Sequence, residues 1–458
     1  MTEALWKAPT AVGPLDARVR VPGSKSLSNR YLILAAMGRR PVRIGGLLRS
    51  RDTDLMIGAL RELGVTCHEG EDPTRVMIIP PAGGVFRGGG TVTCGLAGTV
   101  MRFVPALAML ADGPTRFDGD LQAYARPMAP LLSGLEQLGA RVEYLSREGR
   151  LPFIIHPPQR LGGGEVTIDS SASSQFISGL LLLASRLGAP VTIHHQGENL
   201  PSLPHIRMTV HDLTLAGVRV EVDEEAHSWM VDGTGASEDV DEPDGRPDGV
   251  GPQLPDTVQV EPDLSNAAPF LGAALIASGR VGIPDWPEST TQPGGLLPSY
   301  LTRMGGEVAF TRDDRGHTCL TVTGSGKVCP LGGFDLSQAG EIVPSIAAIL
   351  VFADGPSRLR GIGHLRGHET NRLKALVTEI NRVGGRAREM ADGIEIEPVP
   401  PDRLHPAVMK TYADHRMATF AAMLGLAIPG VQVEDIGTTA KTLPDFPDMW
   451  ADMVATGD

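Results

Sequence analysis

SKSLSNRYLILAAM, residues 24–37, opens with small and polar side chains and runs into an unbroken apolar stretch, the pattern of a helix buried on every side. The same pattern returns five times: LAGTVMRFVPALAML (96–110), SASSQFISGLLLLAS (171–185), DLSNAAPFLGAALIAS (263–278), QAGEIVPSIAAILVF (338–352) and YADHRMATFAAMLGL (412–426). The starts stand 72, 75, 92, 75 and 74 residues apart. Chance could supply two or three such segments in an α/β protein; six in nearly constant phase point to repetition.

A second, amphipathic helix follows in each of the first five units, in LMIGALRELGVTC, LLSGLEQLGARVEY, HDLTLAGVRVEV, YLTRMGGEVAF and LKALVTEINRVGGRARE. Gly64, Gly139, Gly217, Gly305 and Gly384 sit where a glycine ends a helix, and segments such as RVEYL and VRVEV then read as strands. The one long spacing contains SEDVDEPDGRPDGVGPQLPD (237–256), too rich in Asp, Pro and Gly to bury a core. It divides six repeats into three plus three. An α/β protein of two domains is expected, each of three similar units, with a cleft between them. Polar helix starts converging on that cleft would favour anions through their dipoles.

Composition agrees with this. A chain of 458 residues exceeds one ordinary core, and 41% hydrophobic with 21% charged residues is a globular balance. Aromatic residues at 4% and a net charge of −13 argue against nucleic acid or an anionic membrane as partner. The longest apolar stretches, such as GLLLLAS at 179–185, are too short to span a bilayer. MTEALWKAPT carries no basic-then-apolar signal, so a cytoplasmic location is expected. Cys67, Cys94, Cys319 and Cys329 lack zinc or thioredoxin spacing and read as reduced thiols.

The chemistry-bearing residues cluster at the helix starts. PGSKSLSNR places Lys25, Ser26 and Arg30 where phosphate or carboxylate would meet them; a capped helix with solvated basic residues is the plain alternative. In GLAGTVMRFVP, which also carries Arg102, Gly98 allows close backbone approach to a ligand, or simply tight helix packing. Arg126 precedes a proline and a helix. Ser171, Ser173, Ser174 and Gln175 offer neutral donors, more hydroxyls than one cap needs, whereas Ser202 alone fits an ordinary loop. Glu341 lies in the first turn of an apolar helix, fit to act as a general base or merely to complement the dipole. LRGHETNRL (His368, Glu369, Arg372), YADHRMA (Asp414, His415, Arg416) and TTAKTLPDFP (Lys441) each set a cation where a helix dipole disfavours it, which a bound anion would offset.

In this order and spacing PGSKSxSNR, AGTxMR, SSQF, HExxR, DHRMA and AKTLPDFP resemble the 3-phosphoshikimate 1-carboxyvinyltransferase family of enolpyruvyl transferases, from Val21 to about Trp450. The resemblance implies a two-domain inside-out α/β barrel, each domain of three βαβαββ repeats, with the active site in the interdomain cleft. Residues 1–22 would join 258–458 in the domain containing both termini, 23–237 would form the inserted domain, and 238–257 the linker. It further implies transfer of the carboxyvinyl group of phosphoenolpyruvate to the 5-hydroxyl of shikimate 3-phosphate, in chorismate and aromatic amino-acid biosynthesis, with no metal or other cofactor. A monomer is expected.

Carried over motif by motif, Lys25, Ser26, Arg30, Ser173, Ser174, Gln175, Ser202, Glu341 and His368 would bind shikimate 3-phosphate. Lys25, Gly98, Arg126, Gln175, Arg372, Arg416 and Lys441 would hold phosphoenolpyruvate. Glu341 would serve the 5-hydroxyl and Glu369 or Lys25 would protonate the methylene carbon, with His415 a further catalytic candidate. Leu96, His205, His368 and Asn371 depart from the common family pattern. The alternative acceptor is UDP-N-acetylglucosamine, but that sister family resembles a KNxxLP start and carries a loop Cys, and this chain has neither at Lys25 or near Arg126.

Overall fold

The computed structural model describes residues 5–197, 200–232, 251–312 and 316–457. The chain divides into two compact units, Gly23–Val260 and Met1–Pro22 with Glu261–Asp458.

In the unit Gly23–Val260 the helices are α1 (Lys25–Met37), α2 (Arg51–Glu62), α3 (Gly98–Ala108), α4 (Ala129–Gln137), α5 (Gln175–Ala184) and α6 (Leu203–Leu215). The segments read as buried are α1, α3 and α5. Every residue of α3 is buried, as is all of α5 beyond Gln175, so neither helix has a solvent face.

Three four-stranded sheets share one connectivity. Thr91–Thr93 lies parallel to Thr115–Asp118, which is antiparallel to Phe153–His156, which pairs in turn with Arg141–Tyr144. Gly164–Ile168, Val191–His195, Ser228–Val231 and Val220–Asp223 repeat the arrangement. The parallel step needs a crossover, and the buried helix supplies it.

The remaining sheet corrects the expected boundary. Its first strand is Thr257–Gln259, parallel to Val42–Gly45, so residues 258–260 belong with 23–232 and not with the termini, and Thr257 is part of a strand and not of a linker. Residues 238–250 of the expected linker lie outside the described residues, but its last stretch is fastened. Gln253 Oε1 accepts the backbone N–H groups of Arg39 (2.9 Å) and Arg40 (3.0 Å) just past α1, and Leu254 is fully buried. Composition identifies a segment unable to build a core; it does not reveal two side chains that dock into one.

The other unit holds α7 (Leu264–Ala277), α8 (Leu297–Arg303), α9 (Val343–Leu350), α10 (Arg372–Arg382), α11 (His415–Gly425) and α12 (Phe446–Ala455). Leu15–Arg18 supplies the first strand of one sheet, parallel to Gly279–Ile283 and completed by Thr318–Gly324 and Glu307–Arg312. Gly332–Asp335, Ser357–Arg360, Ile394–Glu397 and Arg386–Glu389 form the next. The sixth repeat is abbreviated: Val408–Met409 parallel to Gln432–Val433, with Trp6–Lys7 antiparallel beside it. The repeated α/β architecture expected from the sequence is present.

The five amphipathic helices α2, α4, α6, α8 and α10 end alike. Gly64, Gly139, Gly217, Gly305 and Gly384 have φ of 88°, 97°, 79°, 96° and 85°. Each glycine N–H bonds back into the last turn, as Gly64 does to Arg61 O at 3.0 Å, and the next N–H reaches one residue deeper, as Val65 does to Leu60 O at 3.0 Å. This double closure satisfies the terminal carbonyls and turns the chain into the following strand. Among the described residues no helix is long and apolar enough to cross a membrane.

Candidate active site

In the first unit the start of α1 is capped by Ser24, which accepts from Leu27 N at 3.5 Å; Ser26 is not the cap. Lys25 Nζ stands 3.5 Å from Oδ2 of Asp52, a buried carboxylate in the first turn of α2. Arg30 lies deeper. It is 1% exposed, and its guanidinium donates to Thr209 Oγ1 (2.9 Å), Ser26 O (3.1 Å) and His205 O (2.9 Å). These bonds tie Ser26 to α6. Ser202, at the head of α6, has a left-handed backbone (φ 55°, ψ 44°) and accepts His205 N at 2.9 Å.

The start of α3 is more crowded. A methyl group on Gly98 would lie 3.0 Å from Arg102 Nη1, 3.1 Å from Arg126 Nη2 and 3.2 Å from Gln175 Oε1. Gly98 is therefore ringed by two guanidinium groups and an amide, which any added methyl group would push aside by a few tenths of an ångström. Arg126 Nη1 donates to Leu96 O at 3.0 Å, and Asn29 Nδ2 donates to Thr99 Oγ1 at 2.7 Å, joining the starts of α1 and α3. Ser173 Oγ accepts Gln175 N at 3.3 Å, while Ser170 Oγ donates to Ser173 O at 2.7 Å. Ser174 precedes α5 without a side-chain cap bond.

The second unit assembles the other candidates. Asp414 caps α11, accepting Arg416 N at 2.8 Å, and receives Arg372 Nε at 2.7 Å and Nη2 at 3.2 Å. Arg372 also donates to Glu369 Oε2 (3.0 Å), with Nη1 3.1 Å from His368 Nδ1. Lys441 Nζ donates to Glu369 Oε1. Arg416 donates to Ser265 O and Asn266 Oδ1, both at 2.9 Å, and its Nη2 stands 3.9 Å from Glu341 Oε2. The Glu341 side chain, in the turn Gly340–Ile342 before α9, is 34% exposed. His415 is the first residue of α11 and is buried beside Asp414.

Electrostatics separate the roles. Burial opposes ionisation of Glu369, but Lys441 and Arg372 outweigh it and hold the carboxyl well below the ordinary range. A group kept ionised in this way is poorly disposed to give up a proton, so in this arrangement Glu369 serves as a counter-anion. Burial, aided by Arg372, lowers His368 to about 3, so the ring is neutral and its Nδ1 can accept from Arg372. Arg372 is raised despite burial, by Asp414 and Glu369.

Sequence reasoning gave Asp52 and Asp414 no role, although an Asp at a helix start is a visible signal for both. Arg102 follows Gly98 by four residues, one turn along α3, so its place there is legible from spacing, whereas the approach of Arg126 and Gln175 is not.

The chain is similar throughout its length to proteins of known activity. The sequence model described as EPSP synthase (3-phosphoshikimate 1-carboxyvinyltransferase) matches residues 9–450. A 3-phosphoshikimate 1-carboxyvinyltransferase of Bifidobacterium longum is 62% identical over 460 residues, covering 99% of this chain and 100% of the relative. One of Kocuria rhizophila is 48% identical over 465 residues, covering 99% and 97%. Among solved structures, an EPSP synthase of Acinetobacter baumannii superposes with a TM-score of 0.77 at 22% identity, covering 98% of this chain and 97% of that one. The enolpyruvyl transferase NikO of Streptomyces tendae gives 0.74 at 18%, covering 99% and 98%. At such identities these two bear on the fold alone. The family model and the two full-length relatives decide the matter: the chain belongs to the EPSP synthase family, the 3-phosphoshikimate 1-carboxyvinyltransferases.

Proposed function

We infer that the chain transfers the carboxyvinyl group of phosphoenolpyruvate to the 5-hydroxyl of shikimate 3-phosphate and releases inorganic phosphate, a step toward chorismate and the aromatic amino acids. The observation that carries this is the 62% identity, over its whole length, to a relative of that name. The acceptor UDP-N-acetylglucosamine is not favoured, since both curated relatives bear the shikimate name.

Residue roles follow from chemistry and are proposals. Lys25, Ser26, Ser173, Ser174 and Ser202 bind shikimate 3-phosphate with His368, and Arg30 acts mainly by fixing Ser26 and His205 from behind. Gly98, Arg126 and Gln175, together with Arg372, Arg416 and Lys441, hold phosphoenolpyruvate. Glu341 takes the 5-hydroxyl proton as that oxygen bonds to the central carbon, and the methylene carbon gains a proton. The carbon–phosphate-oxygen bond then breaks, the new methyl group gives back a proton, and the vinyl group is restored. The guanidinium and ammonium groups offset the charge of the adduct. A phosphate that engages Lys441 and Arg372 takes them from Glu369, raising its affinity for a proton; in that state Glu369, or else Lys25, becomes the acid. A cytoplasmic, monomeric chain accompanies this reading.

Phosphate release measured with each acceptor in turn tests it. Release with shikimate 3-phosphate and none with UDP-N-acetylglucosamine is expected; the reverse overturns it.

A further inference from the structure

The stretch leading into α11 has a backbone that its residues do not favour. Tyr412 and Ala413 stand side by side at φ 56° and 54°. Glycine adopts this region freely, and Asn and Asp tolerate it through local side-chain bonds; Tyr and Ala have neither aid. Such residues persist where the surroundings over-determine them.

Here the surroundings are α10. Glu379, in its second half, is fully buried. Its Oε1 accepts the Tyr412 hydroxyl at 2.6 Å, and its Oε2 accepts Lys410 N at 3.1 Å and Arg382 Nε at 2.9 Å. Three donors satisfy the buried carboxylate. Burial and Glu379 raise the Tyr412 hydroxyl to about 12, so it remains a donor at neutral pH. Arg372, about 10 Å back along the same helix, grips the segment again at Asp414. One rigid helix thus holds both ends of residues 410–414. Asp414 in turn holds Arg416 N, and the Arg416 side chain faces Glu341. Rotation at Tyr412 or Ala413 would displace Asp414 and Arg416 together.

We propose that Glu379, acting through Tyr412, is a positioning residue for carboxyvinyl transfer: it holds the left-handed turn at 412–413 that aims Arg416 and the Asp414-bound Arg372 at phosphoenolpyruvate. It touches neither substrate. This rests on the reaction proposed above.

The test is steady-state kinetics on the full chain carrying Glu379→Gln or Tyr412→Phe, with thermal melts. Tyr412→Phe should lower kcat/KM for phosphoenolpyruvate roughly three- to tenfold, and Glu379→Gln roughly ten- to a hundredfold, while KM for shikimate 3-phosphate stays within about twofold. Adding Ala413→Gly to Glu379→Gln should recover about threefold or more, because glycine takes the turn unaided. A purely stabilising Glu379 would lower the melt and leave every kinetic constant unchanged; that result overturns the proposal, as does the absence of recovery by Ala413→Gly. If Glu379→Gln fails to fold, Tyr412→Phe alone decides. A wild-type chain that releases no phosphate with shikimate 3-phosphate overturns the reaction itself and this inference with it.

Discussion

Glu369 Oε1 accepts a hydrogen bond from Lys441 Nζ, an ion pair between residues 72 positions apart. Glu369 Oε2 meets Arg372 at 3.0 Å. A carboxylate of the chain itself therefore lies against two cations proposed to hold an anionic substrate. Glu369→Gln should leave KM for phosphoenolpyruvate unchanged or lower, since a competing anion is gone. It should reduce kcat about 10²–10⁴-fold if the residue also carries the proton to the methylene carbon. Near-wild-type kcat would confine Glu369 to the counter-anion role.

Glu341→Gln should bind both substrates and lose most turnover, by about 10²–10⁴-fold, because an amide can bond the 5-hydroxyl but cannot take its proton. The side chain is 34% exposed, so the exchange should move the melt little. Single-turnover rates at saturating substrates decide. A wild-type rate would shift the base role to Lys25 or His415.

Gly98→Ala inserts a methyl group 3.0 Å from Arg102 Nη1 and 3.1 Å from Arg126 Nη2. Both guanidinium groups must give way by a few tenths of an ångström. KM for phosphoenolpyruvate should rise ~10-fold, about 1.4 kcal/mol, with KM for shikimate 3-phosphate little changed and the fold intact. Equal effects on both substrates would show that the crowding is not local to the phosphoenolpyruvate contacts.

The acid limb of stability should have two parts. His368 stays neutral in the folded protein down to about 3, whereas an unfolded histidine takes up its proton near 6.5. The unfolded chain then binds more protons, and stability falls as pH drops below 6.5. Glu369 has the depressed value, so its contribution is complete above about 4.5 and is lost as pH falls further, through its native value. Melting temperatures from pH 7 to pH 3 should therefore decline less steeply in His368→Asn above pH 4.5 and in Glu369→Gln below it. Curves parallel to wild type in both variants would refute the assignment.

Gln253→Ala removes the acceptor for Arg39 N and Arg40 N. A loss of about 1–2 kcal/mol is expected, with unchanged kinetics. Chemical denaturation checks it, and an unaltered midpoint would mean that water replaces the amide without cost.

The helix starts were readable in the sequence because a polar residue ahead of an apolar run can only be a boundary, and the five helix-ending glycines because their backbone region excludes most other residues. The buried partners of Arg30 are not legible, for the opposite reason. Thr209 and the His205 carbonyl lie 179 and 175 residues away, and no local spacing shows these contacts. Glu379 looks like the wet face of an amphipathic helix, yet it is fully buried; only the turn at Tyr412 explains it. The strand Thr257–Gln259 is not legible in the sequence, which puts Thr257 in the linker and 258–259 with the termini, because its partner, Val42–Gly45, precedes it by more than two hundred residues.

That last pairing, with its counterpart between Leu15–Arg18 and Gly279–Ile283, imposes an order on synthesis. A chain emerging from the ribosome carries Leu15–Arg18 with no strand to join until some 260 further residues have been made, whereas the unit Gly23–Val260 completes its first sheet as soon as Thr257–Gln259 appears. The inserted unit can therefore close while the unit that flanks it in sequence is still an open edge, and Trp6–Lys7 waits longer still, for Gln432–Val433.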